Sequence, residues 1–170
     1  MQMKIAASQA RKNSQRGQAM LEAAGIVLLL LGLMFLVVDL SFTLFTKATL
    51  QEAVKAGVRF AVTDQLGSGQ SYMNDSIVQV VQQNALGMLN GSNGACKISI
   101  NYFNPTTGAA STGTGGDVVE VSVTGYSYSP VGILKSSSPI SITASSSDVL
   151  EACPLGGCPP VANPTPATCP

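Results

Sequence analysis

Residues Ala23–Val38 (AAGIVLLLLGLMFLVV) carry no charge, and after Asp39 the run Leu40–Thr46 (LSFTLFT) carries none either. No other feature constrains the chain so tightly. Sixteen helical residues rise only ~24 Å, short of a ~30 Å hydrocarbon core, so a membrane-crossing helix built on them has to reach towards Glu22 at one end and past Asp39 at the other. Those two carboxylates would stand ~26 Å apart along such a helix, close enough to the two headgroup layers that neither sits at the costly bilayer centre. The sequence predicts one spanning helix over 18–45.

Charge is distributed unevenly around this segment. Lys4, Arg11, Lys12 and Arg16 precede it and no acid does, so the excess of positive charge predicts a basic cytoplasmic leader over 1–17 and an exported remainder. A removed secretory signal is the competing reading. The apolar run outlasts a usual signal core and no small-x-small site closes it. Gly25 and Gly32 lie seven residues apart on one helix face, with Ala24 beside Gly25. Small residues there suit close approach of a second helix, although glycine is common in membrane helices in any case.

The remaining chain reads as a small α+β domain over 46–150. Leu50, Val54, Val58 and Ala61 recur at three- and four-residue intervals with no breaker between Phe45 and Thr63, so the spanning helix should continue into an amphipathic stem. Asp64–Ser71 has loop composition. A second helix is expected from Asn74 or Asp75 to about Leu89, with Asn74 as its N-cap, Asn90-Gly91 as its stop, and Ile77, Val81, Ala85 and Met88 as its apolar stripe. Cys96–Phe103, Asp117–Tyr126 and Ile140–Ser146 alternate as half-buried strands, separated by the turn region Asn104–Gly116 and a loop holding Pro130, Gly132 and Pro139. The order implies a three-stranded antiparallel sheet packed on the long helix. From Glu151 the composition shifts to Pro, Gly and Cys, and the tail 151–170 should be ordered only by its crosslinks.

Composition excludes several function classes. There is no histidine, which removes the commonest general base and metal ligand and with them any Ser-His-Asp or Cys-His mechanism. No carboxylate pair presents a catalytic dyad, and Gly113-Thr114-Gly115-Gly116 lacks the following Lys and helix start of a phosphate cradle. No enzyme activity, cofactor or metal is expected. Zero net charge and few aromatics argue against a nucleic-acid partner. Cys96, Cys153, Cys158 and Cys169 all follow the membrane segment, so export would make disulfides their default state. Cys153 and Cys158 can close a small loop, leaving Cys96 and Cys169 to tie the tail to the first strand. Four cysteines allow three pairings, and spacing does not choose among them.

The junction Arg16-Gly17-Gln18-Ala19-Met20-Leu21-Glu22 is the most informative short stretch. A basic leader ends in glycine, four residues follow, then a lone glutamate opens the apolar run. It resembles the processing site of type IV prepilins, which implies cleavage by a prepilin peptidase between Gly17 and Gln18, with Glu22 in fifth place of the mature chain. The chemistry is consistent: a cut there frees an amine on Gln18 one helical turn from Glu22, and the glutamate of one subunit can neutralise the amine of a neighbour among packed apolar helices.

A narrower resemblance follows. RGQAMLEAAGIVLLLLGLMFLVVDL, then TKATLQEAVKAGVRFAV with Ala53, Gly57-Val58-Arg59 and Ala61, is similar to the TadE-like family of minor pilins or pseudopilins of tight-adherence (Flp) type IV pilus systems. VEVSVTGYSYSP and PISITASSS resemble that family's closing strands. Ala23 stands where many members carry an aromatic residue, and the cysteine-rich tail is not a general family feature. The resemblance implies a single-pass protein of a bacterial inner membrane, with a cytoplasmic N-terminus and a periplasmic C-terminal domain, possible incorporation into a pilus, and homo- or hetero-oligomeric association. Its partners would be the membrane, the peptidase, other pilin subunits and the pilus assembly platform, with Gly25, Gly32 and Asp39 tuning lateral helix contacts. The alternative of a different class is a permanently anchored extracytoplasmic binding or adhesin module with an uncut N-terminus.

Overall fold

The computed structural model of the chain describes residues 2–63, 65–128, 139–152 and 159–161, with side chains from Gln18 onward. It is α+β, with α1 (Gln2–Val62), α2 (Met73–Asn84), a short α3 (Gly91–Ala95), β1 (Ile98–Phe103), β2 (Val118–Tyr128) and β3 (Ile140–Val149). The chain divides into two compact units, the first taking α1 as far as Phe42 and the second starting at Thr43 and holding the other elements. The long apolar helix, a following helix and the three-stranded sheet thus form as the periodicities indicate.

In the second unit the core is one cluster. From α1 it takes Leu50, Ala53, Val54, Val58 and Ala61, each at most 3% exposed. These positions repeat every three or four residues and so form one stripe of the helix. Facing it are Ile77 and Val81 of α2 and Val119, Val121 and Val123 of β2, all fully buried. Burying a Leu or Val side chain of this kind stabilises the fold by about 1.5–3 kcal/mol. Gly57 lies within the stripe and is also buried. A Cβ there would meet Val81 Cγ2 at 2.5 Å, so the missing side chain is what lets α1 and α2 come together.

The sheet order is β1-β2-β3, antiparallel throughout. Ile98, Ile100 and Tyr102 pair with Val123, Val121 and Val119, which puts six core-facing residues in register, while Ser99 and Asn101 alternate to the exposed side. A register shift between Val123 and Tyr126 interrupts β2, after which pairing with β3 resumes at Ile142. The outer edge of β1 is covered near its end, where Ser111 N–H donates to the Tyr102 carbonyl at 2.8 Å.

Three expectations need correction. Asn74 does not cap α2. The helix begins at Met73 with Tyr72 in the cap position and no side-chain cap bond. The Met73 and Asn74 amides donate instead to the carbonyls of Pro160 and Val161, at 2.9 and 3.0 Å, and Asn74 Oδ1 accepts from Tyr102 Oη at 2.8 Å. Backbone from the tail therefore supplies what a capping side chain would have supplied. Second, and for the same reason, residues 159–161 of the tail are tied by backbone hydrogen bonds and not by crosslinks alone. Third, α2 ends at Asn84, not near Leu89. Leu86 and Gly87 take φ of 50° and 83°, a left-handed turn for which Gly87 is suited and which no helix can pass through. The Gln82 side-chain amide then donates to the Leu89 and Gly91 carbonyls, at 2.8 and 3.0 Å, and holds the turn.

Candidate functional site: the apolar helix and its leading junction

Between Gln18 and Phe45, α1 is apolar and mostly exposed. Its most apolar stretch is long enough to cross a membrane, and none of that stretch is buried. Leu28, Leu29, Met34 and Phe35 are between 51% and 74% exposed. Apolar exposure over most of the circumference, interrupted along the face of Gly32, Asp39 and Thr43, is what a lipid-facing or subunit-facing helix requires, and it distinguishes this segment from the core helix of a water-soluble domain.

The positions singled out by the sequence fall as follows. Gly17 and Gln18 lie within the bounds of α1. Gln18 and Glu22 are exposed, Gly25 is exposed and Gly32 is half-buried. A Cβ on Gly25 would find no atom within 4 Å, so its surface is open to a neighbouring helix. Asp39 behaves differently from the rest. It is 8% exposed and has an interaction partner within the chain, so the carboxylate that interrupts the apolar run is sheltered by its own protein. Nothing in the sequence pattern distinguished this from a carboxylate placed among headgroups. Cys96 is half-buried and disulfide-bonded. Cys153, Cys158 and Cys169 lie outside the described residues, and with them the choice of pairing. Among the described residues no cluster of Cys, Asp and Glu could hold a metal ion.

The apolar helix runs on from Gln18 into the buried stem as one element. Residues 17–59 match the family model of TadE-like protein. This segment is similar to TadE-like proteins. The match starts at Gly17 and stops at Arg59, so it takes in the junction, the apolar run and most of the stem, including Gly57, but none of the sheet. No curated protein and no solved structure matches the chain.

Two structural centres lay beyond sequence reasoning. Gly57 sits in the middle of the stem stripe, and a glycine on a buried helix face is a recognisable mark of close packing. Asp117 is the other. One carboxylate oxygen accepts from Ser111 Oγ, from Thr114 N–H at 2.7 Å and from Thr114 Oγ1 at 2.8 Å, folding the Ser111–Gly116 loop back on itself. The Ser111 hydroxyl first, then the Thr114 hydroxyl and amide, hold its carboxyl below the usual carboxylate range. The residue is 5% exposed. Its partners satisfy it, so it is a clasp and not a reactive group.

Proposed function

We propose that this chain is a minor pilin or pseudopilin of a tight-adherence (Flp/Tad) type IV pilus system, and not an enzyme. A prepilin peptidase cuts it between Gly17 and Gln18. The observation that carries the reading is the coincidence, in one helix, of the glycine–glutamate junction, an uncovered apolar surface and a TadE-like match that starts at Gly17. After cleavage the exposed Glu22 is free to meet the new amine of an adjacent subunit. The uncovered helix, with its open surface at Gly25, packs against sister helices in the membrane or fibre. The basic leader stays cytoplasmic and the sheet domain lies in the periplasm, where it offers a surface for initiating, capping or modulating the pilus, and where Cys96 and its partner are kept oxidised.

N-terminal determination of the native protein, with and without the peptidase, tests this. The expected mature chain begins at Gln18, and a Gly17 substitution should leave the full leader in place. A chain that keeps its leader whether or not the peptidase is present would refute processing and favour the permanently anchored module. Cysteine labelling from either side of the membrane, at single cysteines placed in 1–17 and at exposed positions of the sheet, tests the orientation separately.

A further inference from the structure

Thr43, Leu44 and Lys47 occupy one patch of α1, since residues three and four apart on a helix are neighbours. Opposite them the first residues of β3, including Ile140, Ser141 and Thr143, complete a cavity of about 240 Å³. That is below the ~300–1,000 Å³ of pockets for whole drug-sized ligands, and suits a small polar group. Its chemistry is two-sided. Leu44 and Ile140 are 59% and 43% exposed and form an apolar lip. Lys47 supplies an exposed ammonium, and Thr43, Ser141 and Thr143 are further polar residues of the lining. Among the described residues no carboxylate lines the cavity. Lys55 is engaged by Glu52 at 2.9 Å, whereas Lys47 has no ion-pair partner among the described residues.

Lys47 is also the first cation after the apolar run, two residues past the exposed Phe45. A lysine so placed lays its stem along apolar surface and holds its charge at headgroup level. We propose that this cavity binds the headgroup of an anionic phospholipid. The phosphodiester lies against Lys47 beside the strand backbone at Ser141, and the upper acyl chain lies along Leu44 and Ile140. The apolar lip favours a lipid over a free phosphate, which would leave Leu44 and Ile140 uncovered. The inference rests on α1 crossing a membrane but not on its direction of insertion.

The test uses the full chain purified in detergent, with native mass spectrometry reading retained phosphatidylglycerol against phosphatidylcholine. Wild type should retain phosphatidylglycerol preferentially. K47Q should reduce that retention about fivefold, the worth of one lysine at an anionic surface. K47R should restore it and K55Q should leave it unchanged. Equal retention by wild type and K47Q, or no preference for the anionic lipid, overturns the proposal. Lys47-dependent binding of inorganic phosphate or glycerol phosphate alone, without lipid preference, overturns the lipid assignment. Carbonate extraction of cell membranes checks the underlying reading independently: a wild-type chain released from the membrane would defeat the spanning helix itself, whatever Lys47 does.

Discussion

Replacing Gly57 by alanine should destabilise the domain, and should do so only while Val81 is present. The added Cβ would stand 2.5 Å from Val81 Cγ2, about 1 Å inside ordinary carbon–carbon contact. Val81 is fully buried, and a β-branched side chain in a helix has one strongly preferred χ1 rotamer, so it has no cheap way to turn aside. Overpacking of this kind costs about 1–3 kcal/mol. Alanine is the better helix former by about 1 kcal/mol, which leaves a net loss of about 1 kcal/mol, or a fall in Tm of about 4–8 °C for a domain of this size. In a Val81→Ala background the clash is gone and the propensity gain remains, so Gly57→Ala should change sign and stabilise by up to ~1 kcal/mol. All four tyrosines lie in the domain and the chain has no tryptophan. Tyrosine fluorescence of the full chain in detergent therefore reports the unfolding of the domain and is blind to the apolar helix. Equal effects of Gly57→Ala in both backgrounds would refute the close-packing argument.

Two further outcomes follow from the hydrogen bonding. Truncation after Cys158 should lower the unfolding midpoint more than truncation after Val161, by the two amide bonds to Pro160 and Val161, each worth about 0.5–1.5 kcal/mol; both truncations remove Cys169, so the crosslink does not enter the difference, and identical midpoints would discount the tail's cap. Asp117→Asn should destabilise the domain at neutral pH, because the folded carboxyl is held below its ordinary value of 3.8. A depressed carboxyl contributes its stability above its unfolded pKa and loses it as pH falls through the folded one. The gap between wild type and Asp117→Asn should therefore narrow as pH is lowered below about 4, and a gap that stays constant between pH 7 and pH 2 would contradict the clasp.

The local patterns in this chain were strong enough to determine its elements. A charge-free run gives a helix that nothing need cover, the stripe Leu50, Val54, Val58 and Ala61 gives the stem, and alternation at Val119, Val121 and Val123 gives the central strand, because side-chain periodicity is a property of neighbouring residues. The junction at Gly17 and Glu22 is likewise a pattern of near neighbours, and its cleavage rests on the proposal above. What only the tertiary structure decided concerns residues distant in sequence: the Pro160 and Val161 carbonyls that cap α2, the burial of Asp39, the approach of Val81 to Gly57, and the cavity that joins Lys47 to Ser141. Orphan amides, buried carboxylates and helix contacts are satisfied by whichever group the fold brings near. That partner is set by the whole packing arrangement, and no window of sequence around either residue contains it.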